Sequence, residues 1–163
     1  MSRLSYCVAL SAFTLLSSAC EAESFDLVGN GEGYVAFVDT DSVTDVGSIK
    51  TYNLLRVDNP PKLIDGHAMH YLMEREKVDC RQQTIQMVDV KAYGLDNQMF
   101  EQADGADGEQ IILPNSLAQS QFNLVCKGVR LSTTTPPYKT LPSAVRAGDE
   151  YVKAFVFKLP AGP

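Results

Sequence analysis

The chain has 163 residues, 45% of them hydrophobic, and a formal net charge of −6. That length supplies one domain with a single buried core rather than two. The acidity, which no Lys/Arg run offsets locally, argues against nucleic acid and anionic headgroups as partners.

Residues 4–19 carry no charged side chain and follow Arg3, the pattern of a cleaved secretory leader. Ser5, Ser11, Thr14, Ser17 and Ser18 dilute the run below the ~20 apolar residues of a permanent span. The chain is therefore expected to be exported, with a signal peptide over 1–19 and no transmembrane helix. Removal of Arg3 leaves 13 basic against 20 acidic side chains. Ser17 and Ala19 suit a cleavage before Cys20, and Ala22 offers a second site. Ser17-Ser18-Ala19-Cys20 also resembles a bacterial lipobox, with Leu16 one place further from the cysteine than usual. Cys7 departs with the leader, leaving Cys20, Cys80 and Cys126, an odd number in a disulfide-permissive compartment. Acylation of Cys20 removes the spare thiol, and so does cleavage after Ala22. The reading adopted is a lipid anchor at Cys20, which would tie the protein to a membrane, most simply the outer one. A periplasmic or secreted form is the alternative.

Residues 20–32 read as a flexible tether ending in Gly29-Asn30-Gly31-Glu32-Gly33. These glycines precede a strand and no helix follows, so they do not form a dinucleotide fingerprint. Tyr34-Val35-Ala36-Phe37-Val38 is β-branched and aromatic, the composition of a strand. Asp39-Thr40-Asp41-Ser42 and Asp45-Val46-Gly47-Ser48 read as turns. Val43 stands where a calcium loop needs an oxygen ligand. Residues 49–57 resume as a strand that Asn59-Pro60-Pro61 is expected to stop.

Residues 78–93 are long and extended. Ile85 and Met87 keep one alternation and Val88, Val90 and Ala92 the other, so a bulge near Met87 or a hairpin is expected. Gly94 to Asn97 is a turn, and Asp104-Gly105-Ala106-Asp107-Gly108 reads as a hairpin loop. A helix opens at Asn115 or Ser116 and closes at Gly128. Ala118, Phe122, Val125 and Cys126 share its inner face, and Gln119, Gln121 and Lys127 point elsewhere. Residues 132–137 look like a linker. Residues 143–159 read as a helix, or as a helix followed by a strand. No internal repeat is present.

Cys80 falls in a strand and Cys126 on a helix, so a bridge between them would pin helix to sheet. The alternative is two separately buried thiols. At this point the chain resembles a known family. Val38-Asp39-Thr40-Asp41-Ser42, the strand over 50–57, Asp79-Cys80, Ala92-Tyr93, Ile112-Leu113-Pro114-Asn115-Ser116 and Val125-Cys126-Lys127 follow one another as in the surface-adhesin protein E family of Gram-negative envelope proteins. The resemblance covers about residues 33–128 and leaves a C-terminal extension over 129–163. It implies an α+β fold, an antiparallel β-sheet with a C-terminal helix packed on one face and tied by a Cys80–Cys126 disulfide. It further implies an often lipidated surface protein that binds host proteins and can dimerise.

His67, His70 and Glu74 would share a helix face and could ligate zinc, but on a strand His67 and His70 point to opposite faces. The family resemblance favours an extended segment, so exposed loop histidines without metal are expected. No Gly-x-Ser-x-Gly elbow is present, and Asp104 and Asp107 lack a scaffold. The expected function is non-catalytic, needs no cofactor, and consists of protein–protein binding at the cell envelope by a ligand the sequence does not name. A periplasmic binding or envelope-maintenance module is the alternative, and a metal-dependent hydrolase built on His67, His70 and Glu74 a further one.

Overall fold

Alternating apolar side chains between Phe25 and Ile111 build one antiparallel sheet whose two faces are each apolar enough to take a helix. In a computed structural model, which describes residues 23–105 and 108–156, the strands are β1 (Phe25–Gly31), β2 (Tyr34–Val46), β3 (Ile49–Ile64), β4 (His67–Asp79), β5 (Thr84–Gly94), β6 (Met99–Asp104) and β7 (Gln110–Ile111). The first six lie side by side in chain order as a meander. β7 pairs with the start of β5, on the same edge that β6 occupies further along. Helices α1 (Leu117–Lys127) and α2 (Leu141–Val156) follow.

Register assigns the faces. Val38, Leu54 and Tyr52 lie on one face beside Val28 and Val78, and α1 covers them with Phe122, Leu124 and Val125. Val35, Phe37, Leu55 and Val57 lie on the other, under Ala144, Val145 and Val152 of α2. Gly148 lets α2 approach closely: a Cβ there would stand 2.8 Å from the Val57 side chain. The helices make their main contacts with β1, β2 and β3 and touch β4 at fewer points, among them Asp149 of α2 against His70.

The ends of α1 follow the sequence expectation. Ser116 caps it by accepting the Gln119 N–H at 3.1 Å, and Gly128 closes it at φ 66°. The irregularity near Met87 is present too. Glu76 pairs with Met87 and Arg75 with Asp89, leaving Val88 as the extra residue that keeps Met87 and Val90 on one face.

Several expectations are corrected. The expected tether contains β1, because Phe25 and Val28 are each 1% exposed and their burial contributes about 1.5–3 kcal/mol apiece. Asp39 to Ser42 is not a chain reversal but a bulge inside β2. Its Asp chemistry is retained, since Asp39 Oδ1 accepts the N–H groups of Ser24 and Asp41. Asn59-Pro60-Pro61 does not end β3, for the missing N–H groups fall in a bulge between Val57 and Lys62 and pairing resumes beyond it. Cys80 lies in the β4–β5 turn, which Asp79 shapes by accepting the N–H groups of Arg81 and Gln82. The glycine-rich stretch after β6 is not a hairpin loop, because β6 and β7 both pair with β5 rather than with each other. Gly105 hugs β5 there, and a Cβ on it would lie 1.9 Å from the Met87 carbonyl oxygen.

The C-terminal segment is helical through Val156. Tyr138, just before α2, bridges to Phe25, and Arg130 binds the buried Asp26 at 2.6 Å. The leader and Cys20 lie outside the described residues. Among the described residues, no helix is long and apolar enough to cross a membrane.

Candidate functional site

The three residues considered for metal binding are engaged separately. His67 stacks on Phe100 with ring centroids 5.1 Å apart. His70 Nε2 lies 3.0 Å from Asp149 Oδ1 of α2, and Asn59 donates to the same carboxylate. Glu74 sits 3.7 Å from Arg56. All three lie on β4, and His70 is largely buried rather than exposed in a loop. No cluster of three metal-ligating side chains exists among the described residues.

Cys80 and Cys126 are bonded, with Cα atoms 5.6 Å apart, so the end of α1 is fastened to the β4–β5 turn. Ahead of that fastening lies a polar group that sequence reasoning missed. Gln121 points inward and is 2% exposed. The Tyr52 hydroxyl lies 2.8 Å from Glu76 Oε2 and 3.0 Å from Gln121 Oε1. Burial raises the Glu76 carboxyl to about 7; the Tyr52 hydrogen bond offsets part of that rise and the nearby Glu74 adds to it. Burial, then Glu76, lifts the Tyr52 phenol well above its ordinary value. One phenolic proton cannot serve two acceptors. A protonated Glu76 supplies the second proton, as does rotation of the Gln121 amide. No sequence signal marks Gln121, because its partner Tyr52 stands 69 positions away.

A second polar network lies on the same face. Asp58 is fully buried and pairs with Arg56 Nε at 3.1 Å. Lys62 Nζ stands 2.7 Å from its other oxygen as an ion pair without hydrogen-bond geometry. Burial raises the neighbouring Glu74 carboxyl against the lowering pull of Arg56. The Arg56 and Lys62 cations also lie over the Tyr34 ring, at 5.6 and 6.0 Å from its centroid. These charged groups pair with one another on β3 and β4.

Depressions lie on both faces of the sheet. On the α2 face, two adjoining depressions of about 350 and 400 Å³ share Asn53 and Met73. One carries Arg75 and Lys91 with Asp89, and the other Glu23 and Asp41. On the opposite face, Ile64, Leu72, Val90, Ala92 and Ala103 line an apolar depression of about 180 Å³ with Glu101 among its walls.

An antiparallel meander with a helix bridged across one face by a disulfide defines a small class of braced α+β domains. The family model described as surface-adhesin protein E matches residues 25–127, and the chain belongs to that family. The match begins at β1, eight residues before the start read from the sequence. Among solved structures, crystal form II of Haemophilus influenzae protein E is similar at a TM-score of 0.51 and 10% identity, covering 64% of this chain and 87% of that one. Another structure of Haemophilus influenzae protein E gives a TM-score of 0.47 at 11% identity, covering 64% and 84%. At such identity the likeness is one of fold. No curated protein sequence matches the chain.

Proposed function

We propose that the protein is an exported, non-catalytic envelope protein that presents its disulfide-braced sheet for protein–protein binding, anchored through a lipid on Cys20. Membership of the surface-adhesin protein E family across the whole sheet and α1 carries this reading. The edge strand β6 supports it, since no strand pairs with its outer side among the described residues. A disulfide suits an oxidising compartment outside the cytoplasm.

The test is direct. Purified protein is offered immobilised matrix proteins and the organism's own envelope proteins, each with a reduced and alkylated control. Saturable binding to either group that is lost on reduction supports the reading. Binding that survives unfolding, or hydrolysis of any bound protein, contradicts it. Mass spectrometry of the mature N-terminus tests the anchor: a diacylated Cys20 supports it and a chain beginning at Glu23 removes it.

A further inference from the structure

We propose that the outer edge of β6 accepts an added strand from a partner protein, an extended segment carrying an aliphatic and a basic side chain two residues apart. The proposal rests on the protein-binding reading above and gives that binding a place and a chemistry.

The backbone supplies the first half of the site. β6 has β5 on one side and no strand on the other among the described residues. Gly105 donates its N–H to the Val88 carbonyl one step beyond the Asp89–Asp104 pair. Antiparallel pairs alternate, so the N–H and C=O groups of Gln102 and Asp104 turn away from β5. Among the described residues they meet no protein partner, and they form a template for one further strand.

Side chains supply the second half. The pairs Leu72–Ala92, Ala92–Glu101 and Val90–Ala103 place these five residues on one face. With Ile64 they line the depression of about 180 Å³ beside the β6 edge. That is below the ~300–1,000 Å³ of small-molecule sites, and matches a single inserted side chain. Ala103 is short, so an aliphatic side chain on the added strand can reach across it towards Val90 and Leu72. Glu101 lines the same depression without an ion pair among the described residues, and Asp104 further along the edge is likewise unpaired. The strand Met99–Asp104 carries two acids and no base. Side chains two residues apart share a face, so a Lys or Arg two places from the aliphatic residue would meet the Glu101 carboxylate, while an acidic side chain there would be repelled. The same charges disfavour a second copy of the chain, because pairing two β6 edges gathers the acids of both.

The experiment uses the purified full chain and a short fluorescein-labelled peptide repeating Val-Thr-Lys-Thr, with a Val-Thr-Glu-Thr counterpart. Fluorescence anisotropy should give saturable binding of the Lys-containing peptide, at least about tenfold tighter than the Glu-containing one. Gln102→Pro removes only an outward N–H, so the melting temperature should hold while binding falls about tenfold or more. Glu101→Lys, which leaves the backbone intact, should reverse the preference between the peptides. Unchanged binding by Gln102→Pro, an unchanged preference in Glu101→Lys, or non-saturable binding overturns the proposal. So does a dimer of the parent chain that Gln102→Pro dissolves, which would assign the edge to a second copy. If Gln102→Pro leaves binding to matrix or envelope proteins intact, the strand site fails and the protein-binding reading stands. If the peptide site behaves as described but no such protein binds, the converse holds.

Discussion

The Tyr52 hydroxyl stands 2.8 Å from Glu76 Oε2 inside the α1 face of the sheet, and Gln121 on α1 closes the group from above. The carboxyl is thus raised to about 7 from an ordinary 4.5 by burial. Between those values the folded protein binds a proton that the unfolded chain has released. Stability on this account is full below about pH 4.5, falls as pH rises, and is lower by roughly 3 kcal/mol above pH 7. Burial pushes the nearby Glu74 the same way. Glu76→Gln mimics the protonated form. It is expected to match the parent near pH 5, exceed its stability above pH 7, and flatten the profile between, as read by urea unfolding across pH.

The Cys80–Cys126 bridge closes a loop of 46 residues in sequence separation. On the chain-entropy relation its loss removes about 4 kcal/mol. Reductant should lower the melting temperature clearly, and the Cys126→Ser variant should melt low with or without it. A melt that reductant leaves unchanged would deny the bridge a structural role.

Gly148 packs α2 directly on Val35 and Val57. Gly148→Leu is expected to destabilise by about 1–3 kcal/mol, despite better helix propensity, because the added side chain has no space on that side. Chemical denaturation measures it. An equal or greater stability would show that α2 does not sit against these valines.

Asp149 ties α2 to β4 and β3 through His70 and Asn59. Asp149→Ala leaves a largely buried imidazole without that partner and should cost about 1–3 kcal/mol. Amide exchange should quicken in α2 more than in α1.

Local signals were read correctly where the chemistry is local. Ser116 and Gly128 bound α1 because capping needs only residues within a turn. The switch of alternation near Met87 exposed the β5 bulge for a similar reason. β1 was missed because Asp26, Gly29 and Asn30 read as loop, while the partners that make it a strand stand far off. Asp26 is balanced by Arg130, and Phe25 by Tyr138. The inward turn of Gln121 was hidden likewise, since a buried amide is legible only beside Tyr52. Two prolines suggested a stop in β3, yet a bulge absorbs them. The family resemblance carried the disulfide pairing, which the spacing of Cys80 and Cys126 alone left open.

Surface display is tested most directly by treating intact cells with protease and following the protein alongside a periplasmic marker. An exposed sheet domain held at the outer surface should be removed while the marker survives. A protein that resists digestion until the cells are lysed would contradict display and place the domain behind the membrane.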